Sequence, residues 1–231
     1  MAQVLSRDGK RKVVLTGCDG SPSENRKTGP MGQLWVLPNG NPLDACRTGA
    51  DKAVCGDCPL RPKASGGSGV CYVVVAQGPL QIHKSTKGKR AKGVPAEVDR
   101  PVRFGAYGDP AFVPLSILHK LSRKTGGRYT GYTHQWETCD PRYARYCMAS
   151  VDAQMAKRAG ISLEALRQRA KDKGYRTFTV RGEGEGPGAD EIRCPAESRG
   201  VQCIDCLLCK GSTSKAKDLC ITVHGTAKGQ Y

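Results

Sequence analysis

Short apolar segments bounded by turn residues recur along the chain, and they predict β-strands. Each has four to six residues, is rich in β-branched or aromatic side chains, and is bounded by Gly, Pro or Asp. The predicted strands cover residues 34–37, 71–75, 102–107, 129–134, 146–151, 176–181 and 220–224. A shorter apolar run, residues 13–15, lies within an otherwise polar N-terminal stretch.

Helical periodicity separates several of these strands. One predicted helix begins at Pro114 and stops before Gly126, a second runs from Asp152 to Gly160, and a third covers residues 163–173 after the N-cap Ser162. Strands that alternate with helices predict an α/β fold with a largely parallel sheet. In such folds the functional side chains gather at the carboxyl ends of the strands.

The composition divides the chain into three parts. We expect a polar N-terminal segment (1–32), an α/β core (33–181) and a cysteine-rich tail (182–231) that returns to the core with a final strand. Two Gly-rich stretches, residues 64–69 and 182–188, read as loops.

Length and cysteine usage narrow the class of protein. The 231 residues are 38% hydrophobic, which is enough for one sizeable core. No apolar run reaches 18 residues, so no membrane span is expected, and the N-terminus lacks the pattern of a secretory signal. Twelve cysteines without such a signal favour reduced thiols, metal ligation and a cytoplasmic location over a disulfide framework.

The strongest chemical signal is the tail cysteine group, Cys194, Cys203, Cys206 and Cys209. A C-x2-C-x2-C loop wraps around an iron–sulfur cluster in ferredoxin-type sites, where a Cys-Pro often adds a further thiolate. Zinc accepts four thiolates in a tetrahedron equally well. The spacing therefore predicts a metal centre whose identity, iron–sulfur (4Fe–4S) or zinc, stays open.

A second set, the first cysteine group, consists of Cys55, Cys58 and Cys71. Thiols at i and i+3 form half of a metal site, and Cys71 would close it from the start of the strand predicted at 71–75. A zinc site needs a fourth ligand, for which Cys46 and His83 are the nearest candidates. An iron–sulfur cluster needs only three cysteines if one iron is left open to bind a small molecule. A structural zinc staple is the simpler alternative.

Two further motifs follow predicted strands. Gly108, Asp109 and Pro110 end the strand at 102–107, where the carboxylate is suited to hold an amino group of a small cofactor. The same tripeptide also makes ordinary turns. His134, flanked by aromatic residues, is a candidate proton-transfer group and equally a pocket-wall residue. Asp109 and His134 are the candidate catalytic residues.

Other catalytic patterns are missing from the sequence. It contains no Gly-x-Ser-x-Gly elbow, no Walker-type phosphate loop and no His-Glu-x-x-His motif. A nicking tyrosine is normally accompanied by a metal-binding His-x-His pair, which the chain also lacks. We expect Cys147 and Cys220, which have no spaced partner, to be buried as small apolar residues.

The net charge of +16 favours contact with a polyanion. The densest basic run follows His83 and contains Lys84, Lys87, Lys89, Arg90 and Lys92. It is either a solvated loop or a surface that supports a phosphate backbone. Nucleic acid is the expected partner.

Several motifs together carry a family resemblance. They are Lys27-Thr-Gly-Pro-Met31, the first cysteine group, Tyr107-Gly-Asp-Pro110, Gly131-Tyr-Thr-His134 and the tail cysteine group. Over most of residues 27–225 they resemble a group of uncharacterised bacteriophage proteins, some labelled rolling-circle-replication-associated. If the chain is phage-encoded, its location is the host cytoplasm. Residues 160–173 are longer than expected for that group and read as a local insertion.

The motif order is also similar to a trimmed radical-SAM barrel, a partial (β/α) barrel with cysteine-rich loops. That superfamily places three cluster cysteines after its first strand and cradles the methionine amine after its second. The resemblance therefore implies a cluster at the first cysteine group and S-adenosylmethionine beside Gly108, Asp109 and Pro110. The usual C-x3-C-x2-C spacing is absent, because Cys71 lies too far along the chain.

Three hypotheses for function follow. The first is an iron–sulfur protein, of radical-SAM-like type, that acts on nucleic acid or nucleotides in DNA replication or modification. The second is a zinc-stabilised nucleic-acid-binding protein without catalysis. The third is a phage accessory protein that binds a host protein, with wholly structural cysteines.

Overall fold

The computed structural model describes residues 1–62 and 71–223, which form an α/β structure around one nine-stranded sheet. The strands are β1 (Gln3–Arg7), β2 (Arg11–Thr16), β3 (Gly32–Pro38), β4 (Val102–Tyr107), β5 (Tyr129–Thr133), β6 (Met148–Val151), β7 (Thr177–Arg181), β8 (Glu191–Arg193) and β9 (Asp218–Thr222). The helices are α1 (Pro42–Thr48), α2 (Lys52–Cys55), α3 (Gly78–Ser85), α4 (Leu115–Lys124), α5 (Ala153–Ala159), α6 (Leu163–Asp172), α7 (Pro195–Ser198) and α8 (Cys203–Cys206).

The strands lie in the order β1-β2-β3-β4-β5-β6-β7-β9-β8. The pairs β1–β2 and β2–β3 are antiparallel, and every later pair is parallel. From β3 to β7 each strand pairs with the next one in sequence, which is the winding found in (β/α) barrels. The sheet is not closed into a barrel, since β1 and β8 are its two edges.

The sheet bends at β5. Its first residues pair with β4, from Tyr129 to Gly131, whereas Tyr132 and Thr133 pair with β6. The gap beside the first half of β5 is filled by the tail, where Cys209 accepts a hydrogen bond from the Gly131 amide at 3.0 Å. The tail thereby continues the backbone pairing of the sheet.

Most of the predicted strands are confirmed. Those predicted at 34–37, 102–107, 129–134, 146–151, 176–181 and 220–224 correspond to β3, β4, β5, β6, β7 and β9. Residues 224–231 and the loop predicted at 64–69 lie outside the described residues. The hairpin β1–β2 within the polar N-terminal segment and the three-residue β8 were not predicted. Their short or interrupted apolar runs give little signal.

The strand predicted at 71–75 is wrong. Residues 71–77 form a turn-rich loop that leads into α3, and the side chain of Val74 is 57% exposed. The reason is the occupancy of the sheet: β3 already pairs with β2 on one side and β4 on the other. Residues 89–93 contact the outer edge of β1, so segment 71–75 has neither β3 nor β1 as a strand partner.

The predicted helices are confirmed as α4, α5 and α6, and their caps follow the expected chemistry. Ser162 accepts a hydrogen bond from the Ala165 amide, Asp152 caps α5 in the same way, and Gly160 ends α5 in the left-handed region. The basic run is only partly a loop, since its first member, Lys84, lies in the last turn of α3. The described residues include no helix with the length and apolar character to cross a membrane.

Buried polar contacts attach the cysteine-rich tail to the core. The Arg176 guanidinium donates to the backbone carbonyls of Leu208, Lys210, Ala216 and Lys217. Arg167 and Arg181 form ion pairs with Glu191 of β8. Four carbonyls of an irregular segment thus find donors in one side chain, which fixes the path of the tail across the sheet.

The backbone at Gly108 is packed closely against two neighbouring segments of the chain. Its φ is +75°, and an added Cβ would lie 2.5 Å from the Val36 carbonyl oxygen and 3.1 Å from that of Val54. Both contacts are with backbone atoms, which cannot rotate away. Only glycine therefore lets β4 end this close to β3 and α2.

We expect Gly108→Ala to destabilise the protein far more than Gly160→Ala. Gly160 also has a positive φ, +65°, but an added Cβ there meets no atom within 4 Å. The control, Gly160→Ala, should lower the free energy of unfolding by about 1–2 kcal/mol, because alanine disfavours the left-handed conformation. Gly108→Ala should lower it by roughly 1–3 kcal/mol more, because the added methyl group overpacks the site. Urea unfolding of both variants measures the difference. Equal free energies of unfolding would contradict the close approach of β4 to β3 and α2.

Candidate metal centres

Asp109 organises the carboxyl edge of the sheet. Its backbone amide donates to the Val54 carbonyl at 2.7 Å, just before Cys55. Its carboxylate accepts from Ala111, from the Thr133 hydroxyl at 2.6 Å and from the His134 amide at 2.8 Å. Burial raises the pKa of Asp109, against these hydrogen bonds. The carboxylate thus holds the ends of β4 and β5 together, and its amide ties them to α2.

The C-x2-C turn of the first cysteine group is held by Gln135. The Gln135 side chain donates to the Cys55 carbonyl and accepts from the Asp57 amide, each at 3.1 Å. Gly56 lies directly against this amide group, so a side chain at position 56 would collide with it. Gln135 follows Thr133 and His134, and the end of β5 therefore shapes the turn between Cys55 and Cys58.

An internal ion pair supports the same turn from the other side. Arg61 forms a two-pronged contact with Asp51, at 2.7 and 3.1 Å, and donates to the Gly49 and Gly56 carbonyls. Both charged side chains are almost fully buried. A buried pair with its hydrogen bonds satisfied rigidifies its surroundings, and here it fixes the loop that leads into Cys58.

The three thiols of the first cysteine group lie within electrostatic range of one another. Burial raises the pKa of Cys71 to about 11, and the neighbouring Cys58 adds to the rise. Burial also raises the pKa of Cys55 well above its ordinary value, with contributions from Cys58 and Cys71. Cys46 lies near Cys71 and contacts the Tyr107 hydroxyl at 3.7 Å. His83, the other suggested fourth ligand, instead contacts Lys12 through its carbonyl.

His134 joins this group. Burial disfavours its charged form, but the Cys58 thiol and Asp152 outweigh burial and raise the pKa of His134 well above its usual range. The His134 Nε2 atom lies 3.5 Å from Asp152 Oδ2, a buried oxygen without a hydrogen bond. A carboxylate behind a histidine that faces thiols is the arrangement that orients metal-binding imidazoles.

The tail cysteine group is shaped by one helical turn and one unusual residue. Cys203 and Cys206 begin and end α8, so their side chains share a face. Leu207 follows in the left-handed region with φ of 50°, which no other non-glycine residue among the described ones adopts. This conformation costs energy for a leucine, and it turns the chain so that Cys209 returns toward the same side.

The four tail thiols lie near enough to one another to interact electrostatically. Burial raises the pKa of Cys209, and Cys194, Cys203 and Cys206 each add to the rise, while Tyr132 opposes it with a hydrogen bond. Burial and Cys194 likewise raise the pKa of Cys203. Cys194 and Cys209 are each only 6% exposed. The group therefore occupies a buried position over one face of the sheet.

The surroundings of the tail group come from distant parts of the chain. Cys203 donates its amide to the Lys27 carbonyl at 3.0 Å, and Cys209 packs with Met148 and Leu219 of the sheet. A cavity of about 420 Å³ lies beside the group, lined in part by Lys27, Val201 and Ile221. Cavities of this size are typical of small-ligand sites.

The donor chemistry of both groups fits a soft metal. All twelve cysteines are free thiols, and thiolates prefer zinc or iron–sulfur clusters. Among residues 1–62 and 71–223, no three His, Cys, Asp or Glu side chains have the arrangement needed to hold a metal ion. Metal binding at either group therefore requires the thiols to turn toward a common centre.

Each cysteine group contacts a residue at or just after the end of β5. Tyr132 contacts the tail group, and His134, two residues further along the chain, contacts the first group. Gly108 and Pro110 flank Asp109 at the same carboxyl edge. The basic residues predicted to bind nucleic acid lie apart from both groups, in α3 and the loop after it.

The structure identifies site residues that the sequence did not. Gln135, Asp152, Tyr132 and Arg176 each act through a partner far along the chain. Tyr132 lies within the Gly131-Tyr-Thr-His134 motif, but the motif assigns it no contact with the tail cysteine group, and Arg176 matches no short motif. The position of Asp152 at the end of a predicted strand was the one available signal.

Comparisons with protein-family models, with curated proteins and with solved structures give no match to this chain. The geometry of the two cysteine groups is therefore the basis of the functional proposal below.

We expect Asp109→Asn to destabilise the protein by about 1–3 kcal/mol, because an amide has one acceptor oxygen and three buried donors face this side chain. Asp140→Asn is the matched control. Asp140 also precedes a proline and caps a short 3-10 turn, but it is far more exposed. Urea unfolding measures the difference, and a thiol reagent should label Cys55 and Cys58 faster in Asp109→Asn. Equal stability and labelling in the two variants would refute the linking role of Asp109.

Proposed function

We propose that this chain is an iron–sulfur protein of radical-SAM-like type that acts on nucleic acid or nucleotides in the cytoplasm. The motif resemblance to bacteriophage proteins supports a role in DNA replication or modification. The observation that supports the proposal is that seven cysteines lie in two groups, within each of which the thiols influence one another's pKa, at neighbouring positions along one sheet.

The position of the first cysteine group supports the proposal. It follows the first parallel strand, β3, and is attached to the carboxyl ends of β4 and β5 through Asp109 and Gln135. That edge is where parallel α/β folds place their reactive groups. The consecutive winding from β3 to β7 is likewise that of a partial barrel.

A cluster held by three cysteines and open at its fourth iron supplies one-electron chemistry to S-adenosylmethionine. In this proposal Cys55, Cys58 and Cys71 hold that cluster. Asp109 keeps its carboxylate for Thr133 and His134, so its part is to position the edge rather than to bind the cofactor. Gly108 is packed against the backbones of Val36 and Val54 and so fixes the end of β4, and His134 is the group placed to hold a proton beside Cys58.

The tail cysteine group would hold a second cluster. The Tyr132 hydroxyl shares a hydrogen bond with the Cys209 thiol, and Lys27 places a positive charge near Cys203. Hydrogen bonds and charges of this kind set the potential of a cluster. The adjacent cavity gives a small ligand access to this side of the sheet.

A zinc-stabilised, non-catalytic protein is the second candidate, and His134 favours it. With Asp152 behind its imidazole, His134 is oriented as the fourth ligand of a Cys3His zinc site. In that case the first group has no open position, and zinc would only stabilise the loop.

Protein purified without oxygen should be brown and contain iron and sulfide. Cys58→Ser and Cys206→Ser should each remove about half of both, because each disrupts one cluster. Cys18→Ser is the control: Cys18 lies near Asp99 and Arg100, apart from both groups, and its loss should leave the iron content unchanged.

Elemental analysis with a visible spectrum measures these outcomes. Stoichiometric zinc in colourless protein would overturn the iron–sulfur proposal and establish the second candidate. Loss of all metal in both variants would instead show that the seven cysteines share one centre.

Reduced protein incubated with S-adenosylmethionine should release 5′-deoxyadenosine and methionine when a low-potential one-electron donor is present. Cys55→Ser should abolish this release, whereas Cys18→Ser should not change it. Chromatography of the products provides the measurement. An iron-loaded wild-type protein that yields no 5′-deoxyadenosine would remove the radical-SAM part of the proposal and leave the cluster assignment intact.

A further inference from the structure

An exposed cationic surface is built from two distant parts of the chain. We define the cationic face as Arg7, Lys10, Lys84, Lys87, Lys89, Arg90 and Lys92, all of which are exposed. Two come from the β1–β2 hairpin and five from the last turn of α3 and the loop after it. The hairpin residues carry no sequence signal for binding and join the surface only through the fold.

Backbone contacts fix the two parts side by side. Lys92 donates its amide to the Val4 carbonyl at 2.8 Å, and Arg7 donates to the Lys89 carbonyl at 3.4 Å. Gln3 reaches the Gly93 carbonyl at 3.0 Å. The loop therefore runs antiparallel along the outer edge of β1, and its cations form a row beside those of the hairpin.

The surface is strongly unbalanced in charge. Residues 1–16 and 78–98 contain nine Lys or Arg and two Asp or Glu, a net charge of +7 out of +16 for the chain. Within the described residues, the ion pairs of these segments are Arg11 with Asp8 and the Met1 ammonium with Asp19, and neither includes a cation of the face. Arg167 on the other side of the molecule, in contrast, contacts four carboxylates. The cations of this face are left for an external partner.

A buried lysine lies beneath the face. Lys12 is 1% exposed, and its ammonium group makes one hydrogen bond, to the His83 carbonyl at 3.3 Å. Burial, with the charge of Arg7, lowers the pKa of Lys12 to about 8. The buried His83 Nδ1 atom also has no hydrogen-bond partner among the described residues. No carboxylate among residues 1–62 and 71–223 forms an ion pair with the Lys12 ammonium, whose charge adds to the positive potential above it.

We propose that the cationic face binds the phosphate backbone of a nucleic acid duplex without reading its bases. Residues 1–16 and 83–98 contain no Phe, Trp or Tyr, so the face has no platform on which single-stranded bases stack. Extended rows of Lys and Arg match the regular phosphate spacing of a duplex. This inference rests on the proposed function at one point only, namely that nucleic acid is what the enzyme acts on.

The face runs along the outer edge of β1, and its Arg7 end lies toward the carboxyl edge of the sheet, the edge that also carries the first cysteine group. Lys12 pairs with Leu37 near the carboxyl end of β3, and Arg7 pairs with Lys12. The loop that contains Cys55 starts from the same end of β3. A duplex on this face is therefore directed toward the edge where the reactive groups lie.

The test compares two triple variants of the full chain, each of which removes three positive charges. The face variant is Arg7→Gln, Lys87→Gln, Arg90→Gln. The control is Lys120→Gln, Arg123→Gln, Lys157→Gln, three exposed cations of α4 and α5. Binding to a random-sequence DNA duplex is measured by fluorescence anisotropy over a range of salt concentrations.

The face variant should bind about tenfold or more weakly at low salt, and its log–log salt slope should fall by about 2.7, or 0.9 per lost phosphate contact. The control variant should match the wild type in both. Equal losses in the two variants would overturn the proposal, as would binding to anionic lipid vesicles without binding to the duplex. An RNA duplex in parallel shows which backbone is preferred.

The iron and zinc content of both triple variants should equal that of the wild type. Failure of duplex binding with intact metal content would refute this inference alone. Loss of metal in the cysteine variants with intact duplex binding would bear on the proposed function alone.

Discussion

The structure depends on one buried carboxylate at the carboxyl edge of the sheet. Asp109 is 6% exposed, and its hydrogen bonds join the end of β4 to the end of β5, while its amide holds α2. Burying a carboxylate is costly unless its oxygens are hydrogen-bonded, and here three donors satisfy them. The same edge carries Cys55 on one side and His134 on the other. The geometry of the first cysteine group is therefore a consequence of how Asp109 is satisfied.

The tail is held in place by hydrogen bonds to the core rather than by a buried carboxylate. It has little regular structure, and its carbonyls are satisfied by Arg176, while Cys209 completes the backbone pairing of β5. The strained Leu207 then directs the tail thiols toward one another. An irregular segment fixed in this way over a sheet face is suited to a metal ligand loop, because the surrounding structure determines each ligand position. The energetic cost of the strain is offset by the contacts of the segment as a whole.

Much of the fold is predictable from the sequence, and the limits have physical causes. Six strands and three helices follow from apolar periodicity, and Ser162 and Asp152 act as the caps that their chemistry implies. The segment 71–75 has strand composition, but β3 already has a partner strand on each side, which only the assembled sheet reveals. Spacing predicts that Cys203, Cys206 and Cys209 converge on one metal; in the structure their thiols influence one another's pKa but are not arranged as metal ligands. The contributions of Gln135 and Arg176 depend on contacts across many residues and leave no local pattern.

The central claim is that two sets of thiols each bind a metal centre of sulfur ligands. X-ray absorption at the iron and zinc edges of protein purified without oxygen tests this most directly. The account predicts an iron edge with sulfur neighbours and a second shell of iron around iron, with intensity reduced but not abolished in a protein lacking the tail thiols. A spectrum dominated by oxygen or nitrogen neighbours, or protein that binds neither iron nor zinc, would contradict it.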